Sequence, residues 1–143
     1  MTRDEAIALR AKMENTYALA TMSMTIDQVI ENRDLCQAWA EGLHLVDEVR
    51  TVKGYPYKCR QEHNTNVYPD IVPGGSAWAT FWIPYHGLTP ETALPFVAPT
   101  GAHDMYLTGE YMIYTDGLLY RCKSDTAYSP TDYTAAWEQE VAE

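Results

Sequence analysis

Gly54-Tyr55-Pro56-Tyr57-Lys58-Cys59-Arg60 and Asp116-Gly117-Leu118-Leu119-Tyr120-Arg121-Cys122-Lys123 are two copies of one cassette. Tyr57 and Tyr120 stand 63 positions apart, and so do Cys59 and Cys122. In each copy a glycine turn leads into a run of alternating apolar residues. Period two places Tyr55, Tyr57 and Cys59 on one face of a strand, with Lys58 and Arg60 on the other. Leu118, Tyr120 and Cys122 obey the same rule. Pro56 within the first run points to an edge position or a bulge. A proline (Pro69, Pro130) and then a tryptophan (Trp78, Trp137) follow each copy. The chain therefore reads as one small β unit used twice.

Upstream of the first cassette, a strand is expected over Glu48 to Val52, closed by the turn pair Lys53-Gly54. Upstream of the second, Tyr111, Met112 and Ile113 form a strand before the hairpin signal Asp116-Gly117. Downstream lie two polar loops, His63 to Gly75 and Asp125 to Tyr133. Trp78 and Trp137 are expected to close the two units. Between the units, Pro84, Gly87, Pro90, Pro95, Pro99 and Gly101 mark a Pro-rich segment. Its Leu88, Leu94, Phe96 and Val97 argue that it is ordered against a neighbouring surface.

The N-terminal stretch has a different period. Thr2 with Glu5 fits a capping box. Ala6, Leu9, Met13, Tyr17 and Ala20 recur at three- and four-residue spacing, which predicts a helix over 3–18 with one apolar stripe. That stripe either docks on the β units or self-associates. Thr25 with Gln28 is a second capping box, opening a shorter helix whose inner face carries Ile26, Val29 and Ile30. The expected organisation is a helical leader over 1–38 for attachment or oligomerisation, a first β module over 39–82, a Pro-rich ordered linker over 83–104, and a second β module over 105–143. The fold class is α+β, an N-terminal helical hairpin followed by two small antiparallel β modules.

The bulk properties bound the partners. A net charge of -10 argues against a nucleic-acid backbone as partner. No apolar run approaches the about 20 residues of a membrane span, so no membrane insertion is expected. Met1-Thr2-Arg3-Asp4-Glu5 lacks the apolar core of a signal peptide, so synthesis in the cytoplasm without Sec export is expected. The three cysteines, 36, 59 and 122, do not resemble a disulfide framework. Cys59 and Cys122 are expected as buried free thiols, with a bridge between them as the alternative.

No catalytic residue, metal or cofactor is expected. His44, His63, His86 and His103 lack ligand spacing; Cys59 and His63 are four apart, but Thr126 stands at the position equivalent to His63. The aspartates form no calcium-loop pattern. No phosphate loop or nucleophile elbow is present. The chain is also small for the cleft that two glycosidase carboxylates require. What remains is an aromatic load of 4 tryptophans and 11 tyrosines. Such rings fill small cores, stack on sugars and build interfaces. Trp39, Tyr57, Trp78, Tyr120 and Trp137, with Cys59 and Cys122, are expected in the core. Tyr55, Tyr68 and Trp82 in or near the first unit, and Tyr106, Tyr114, Tyr128 and Tyr133 in the second, are the candidates for contact with carbohydrate.

In order, each repeat has an Asp/Gly-Glu turn, a hydrophobic strand, a glycine turn, Tyr-x-Cys, a polar loop with proline, and a terminal tryptophan. This order resembles the small chitin-binding-type carbohydrate-binding modules found beside chitinases and in phage tail proteins. Asp47-Glu48-Val49, Gly54, Tyr57, Cys59, Pro69 and Trp78 carry the likeness in the first unit. Gly109-Glu110-Tyr111, Gly117, Tyr120, Cys122, Pro130 and Trp137 carry it in the second. The leader Met1-Thr2-Arg3 with Glu5-Ala6, and Leu35-Cys36-Gln37-Ala38-Trp39, is similar to the leader of small prophage-encoded proteins. The resemblance implies β modules of carbohydrate-binding type in a virion-located, tail-associated accessory protein. It would be non-enzymatic, a homo-oligomer with a trimer preferred, in contact with other phage structural proteins and with host cell-surface polysaccharide. A purely architectural role and a targeting module for a separate hydrolase are the alternatives. Chitin-binding members carry an exposed aromatic just after the central Tyr strand; here the chain reads Gln61-Glu62-His63 and Ser124-Asp125-Thr126.

Overall fold

The computed structural model describes residues 2–21 and 24–140. Helix α1 spans Arg3–Thr21, three residues longer than its pattern suggested, and Glu5 N donates to Thr2 Oγ1 at 3.0 Å. Helix α2 is short, Ile26–Glu31, followed by a 3₁₀ turn at Arg33–Leu35. Both halves of the Thr25–Gln28 capping box form. Val29 and Ile30 are buried while Ile26 is exposed, so only part of the expected inner face docks. The turn of the expected hairpin, Met22 and Ser23, and the stripe side chains Tyr17 and Ala20 lie outside what is described. Leu9 and Met13 of that stripe are exposed, as is Ile7 beside it.

The β strands fall into three small sheets. Strands β1 (Leu43–His44) and β4 (His63–Asn64) pair alone; β2 (Val49–Val52), β3 (Tyr55–Cys59) and β5 (Trp82–Pro84) form the second sheet. The third has the order β6 (Leu94–Pro95), β7 (Tyr111–Ile113), β8 (Leu119–Cys122), β9 (Trp137–Glu140). All pairings between named strands are antiparallel except β6 with β7. The fold is thus α+β, with an N-terminal helical region and small antiparallel sheets. The proline-rich segment is ordered and belongs to both units, since β5 ends at Pro84 and β6 joins the last sheet. Strand β9 is tied to β8 by charge as well as backbone: Arg121 pairs with Glu138 at 2.9 Å and with Glu140 at 3.4 Å.

The repeat extends to individual hydrogen bonds. Asp47 N donates to Cys59 O at 2.8 Å, and Gly109 N to Cys122 O at 2.8 Å. Cys59 N donates to Glu48 O, and Cys122 N to Glu110 O, both at 2.8 Å. Trp39 N donates to Thr51 O, and Phe96 N to Ile113 O, again both at 2.8 Å. Residues 107–113 therefore match 45–51, ahead of the hairpins. The numbering offset grows by one across them. Lys53-Gly54 closes the first with positive φ at both positions (53° and 78°), the two-residue turn that suits strand twist. The second hairpin is one residue longer and turns at Gly117 (φ 80°).

These bonds correct one reading. Trp82, not Trp78, is the counterpart of Trp137: Cys59 lies opposite Trp82, and Cys122 opposite Trp137. Arg60 N reaches Phe81 O at 2.6 Å as Lys123 N reaches Ala136 O at 2.7 Å. Trp78 corresponds to Tyr133, since Phe81 N donates to Trp78 O and Ala136 N to Tyr133 O. The sequence misled because the polar loop of the first unit is longer, so counting forward from the cassette lands on the wrong indole.

Each core is built on a ring packed against this Cys–Trp pair. In the first unit His44 stacks on Trp39 (4.6 Å, 14°) and meets the Trp82 ring at 5.2 Å and 75°. In the second, Tyr106 stacks on His86 (4.0 Å, 8°) and Phe96 (5.5 Å, 14°) and meets Trp137 at 5.2 Å and 67°. These centroid separations and tilts match the stacked and edge-to-face geometries aromatic rings prefer. Trp82 and Trp137 also satisfy their indole N–H groups, on His63 Nε2 (3.1 Å) and Tyr128 O (3.0 Å). Cys59 and Cys122 are fully buried free thiols. Burial pushes both up to about 11, against the opposing effect of backbone hydrogen bonding at Gln61 and Ser124. Trp39 and Tyr120 are only half-buried: Trp39 covers one face of His44, and the Tyr120 hydroxyl reaches outward to Asp116 Oδ2 at 2.8 Å.

Two predictions follow from this packing. Trp82→Ala and Trp137→Ala each lower stability by about 3–5 kcal/mol in chemical denaturation, because each leaves a cavity beside a buried cysteine. Stability also falls as pH rises from the ordinary thiol range toward 11, because unfolded thiols ionise there while the folded ones resist. A pH series of denaturation midpoints checks the sign.

Candidate functional site

The seven candidate sugar-contact aromatics separate sharply by exposure. Trp82 and Tyr106 are fully buried and Tyr55 is buried, so none offers a ring face to a ligand. Their physical roles explain this correction. Trp82 fills the first core opposite Cys59. Tyr106 fills the second, and its hydroxyl accepts from Val97 N at 3.2 Å. The Tyr55 and Tyr106 hydroxyls interact across the junction of the units, to opposite effect on the two phenols. Burial raises both phenols, Tyr106 to about 12.

The exposed candidates sit on the polar loops. Tyr128 is 62% exposed, Tyr133 50% and Tyr68 60%. Tyr128 and Tyr133 lie on one loop with ring centroids 6.5 Å apart and planes inclined at 45°. They form an angled pair, not a flat strip. The loop beneath them is held firmly. Tyr128 N donates to Thr126 Oγ1 at 3.0 Å, Tyr133 N to Ser129 O at 2.8 Å, and Asp132 N to Ser129 Oγ at 3.1 Å. The bond from Trp137 Nε1 to Tyr128 O ties the loop to the core.

Tyr114 stands beside this loop, half-buried, with its hydroxyl 3.1 Å from Thr131 Oγ1. It packs edge-on to Phe96 (5.3 Å) and Tyr120 (6.0 Å). Hydrogen bonds from Ser129 and Thr131 lower its phenol below the ordinary value. Tyr114 therefore buttresses the loop from below. In the first unit, Tyr68 N donates to Asn64 O at 3.0 Å, and Val67 beside it is also exposed. The two loops together present aromatic faces with hydroxyls and carboxylates around them, the chemistry that sugar rings and protein surfaces both engage.

The counterpart relation exposes a contrast that spacing concealed. Trp78 is covered in the first unit: its Nε1 donates to Thr100 Oγ1 at 3.1 Å and His103 abuts its ring at 4.5 Å. Tyr133, in the matching place, has no such cover among the described residues and is half-exposed. The site that takes a neighbouring segment in one unit is open in the other.

A second polar feature was legible only in part. Glu48 and Glu110 recur at matching places, and both turn inward. Glu48 Oε2 pairs with His44 Nδ1 and with Arg50 Nε at 3.2 Å. Burial pushes the Glu48 carboxyl up, but the His44 and Arg50 interactions outweigh it and hold it below the ordinary value. Glu110 Oε1 lies 2.9 Å from His86 Nδ1 and accepts from Leu107 N at 2.6 Å. These pairs brace the turn that starts each unit. Among the described residues, no group of three or more histidine, cysteine, aspartate or glutamate side chains is placed to hold a metal ion, and no helix is long and apolar enough to cross a membrane.

No protein-family model matches the chain, and no curated protein matches it.

Tyr128→Ala and Tyr133→Ala are expected to leave the thermal midpoint close to wild type, within about 0.5 kcal/mol of stability, as exposed positions do. Tyr106→Ala is expected to cost several kcal/mol. Parallel melting curves check the contrast.

Proposed function

We propose that the protein is a non-enzymatic phage virion accessory protein that adheres to host surface glycan through the exposed tyrosines of its two polar loops. Its β units are then carbohydrate-binding-type modules. Tyr128 and Tyr133 form the main contact and Tyr68 a second, weaker one. The observation that carries this reading is the open, tilted Tyr128–Tyr133 pair on a loop anchored to the core. It is an aromatic surface whose exposure folding does not require. The covered Trp78 supports it, because the matching position in the first unit already receives a protein segment.

The mechanism is stacking of the apolar face of a sugar ring on a tyrosine, with neighbouring hydroxyls and carboxylates meeting the sugar hydroxyls. Each ring contributes modestly, about 0.5–1.5 kcal/mol beyond area burial for comparable aromatic contacts. Useful adhesion then comes from several sites acting together in a homo-oligomer, for which a trimer suits a fibre-like appendage. The net charge of -10 accords with a neutral ligand better than with an anionic one.

A purely architectural role is favoured by a different observation, the exposure of Ile7, Leu9 and Met13 on α1. Glycan-array and insoluble-polysaccharide pull-down measurements separate the two. Binding to at least one wall or chitin-like polymer is expected, reduced roughly tenfold by Tyr128→Ala with Tyr133→Ala and less by Tyr68→Ala. Absence of binding across all polymers, with the protein folded, assigns the tyrosines to protein contacts.

A further inference from the structure

We propose that α1 is the self-association helix of this protein: the face carrying Ala6, Leu9 and Met13, with the open cavity beside it, receives the α1 helix of a second copy in parallel orientation. Helix α1 is 19 residues long, and its described side chains, from Arg3 to Met13, are all exposed. Leu9 is 45% exposed and Met13 62%. A helix of this length in water takes most of its stability from packing an apolar face against a neighbour. Among the described residues, the rest of the chain leaves that face uncovered. An open cavity of about 700 Å³ is lined by Arg10 and Met13 of α1 and by Leu35, Cys36 and Ala38 of the segment that follows α2. Leu35 is itself 58% exposed.

Position around the helix selects the partner and its orientation. At about 100° per residue, Ala6, Leu9 and Met13 fall within about 60° of one another. Glu5 and Lys12 flank this face on one side, and Arg3 and Arg10 flank it on the other. Parallel helices set one flank of each copy against the opposite flank of the other. Glu5 of one copy then faces Arg10 of the next, an attractive pair. Antiparallel helices set like flanks together, so the arginine flank would meet itself. Charge therefore selects the parallel arrangement. Both members of the attractive pair lie on this one helix, so a second copy supplies the complement.

The charge of the whole chain points to the same element. A net charge of -10 makes copies repel one another in general. Residues 3–13 depart from that balance, with three basic side chains (Arg3, Arg10, Lys12) against two acidic ones (Asp4, Glu5). Two copies that meet along α1 therefore avoid the repulsion carried by the rest of the surface. The cavity adds a second apolar wall, since Leu35 and Ala38 extend the surface offered by Leu9 and Met13. This contact supplies the interface for the homo-oligomer of the adhesive reading. It does not rest on glycan contact, because none of its residues lies on the tyrosine loops.

The test is sedimentation equilibrium of the full chain over a concentration series, under reducing conditions so that the half-buried Cys36 does not cross-link copies. Wild type is expected to associate, and Leu9→Asp with Met13→Asp to sediment as a monomer. Near-UV circular dichroism of that variant is expected to match wild type, because both positions are exposed and lie outside the β units. Orientation is read by exchanging charges. Glu5→Lys and Arg10→Glu each weaken association several-fold, and the two together restore it. Residues 5 and 10 lie on opposite flanks of one helix and do not face each other within it, so restoration reports contact between copies. A wild type that stays monomeric overturns the proposal and assigns the cavity to a different partner, while polysaccharide pull-down with the same protein still tests the tyrosine loops. Association that survives Leu9→Asp with Met13→Asp also overturns it, as do charge variants that leave association unchanged or fail to restore it together.

Discussion

The packing of one aromatic ring against a cross-strand cysteine–tryptophan pair is the interaction on which each β unit depends. Cys59 faces Trp82 with His44 packed beside the indole, and Cys122 faces Trp137 with Tyr106 in the matching place. Units this small cannot bury much aliphatic surface. Rings that stack and meet edge-on bring more apolar area per residue and set directions as well as distances. The short cysteine at the centre leaves room for the indole. The rest of each unit follows: a tight turn at Glu48 or Glu110 to bring the ring in, a hairpin to return the strand, and a long loop to reach the tryptophan.

The two units differ in what surrounds this shared centre. His44 is a polar ring in an apolar place, and Glu48 with the carbonyl of Ala40 satisfies its nitrogens. Tyr106 needs only a partner for its hydroxyl and takes Val97 N. The connecting segment then locks the units together. Gly87 O accepts from Tyr111 N at 2.8 Å, and a Cβ at Gly87 would stand 2.2 Å from Thr92 O. Asp27 of α2 receives Leu88 N and Thr92 Oγ1 at 3.0 and 2.8 Å. Because this segment lies over Trp78, it leaves Tyr133 and Tyr128 on the second unit as the open aromatic surface.

Much of the fold was legible because strand period, turn chemistry and capping are local. Lys53-Gly54, Thr25–Gln28 and the Tyr-x-Cys strands all follow from residues within a few positions of one another. The partner of Cys59 did not, since loop length between cassette and tryptophan is free to vary and spacing alone selected Trp78. Burial of Tyr55, Trp82 and Tyr106 was equally hidden: an aromatic beside a turn looks the same whether its ring points in or out. Tyr128, Tyr133 and Tyr68 were visible as candidates because they lie in polar loops without alternation. His86 and Glu110 stand far apart in the chain, so no motif could join them, although the repetition of Glu48 at Glu110 was a usable sign.

Folding consumes most of the aromatic residues, and we propose that the loop tyrosines it leaves exposed serve recognition. The most direct test is NMR chemical-shift mapping of the intact protein with soluble chitin and cell-wall oligosaccharides. The account predicts saturable shifts confined to 126–133 and the Tyr68 loop, with Trp82, Tyr106 and Trp137 undisturbed. Shifts centred on α1 or on the connecting segment, or no shifts at any oligosaccharide concentration, would contradict it.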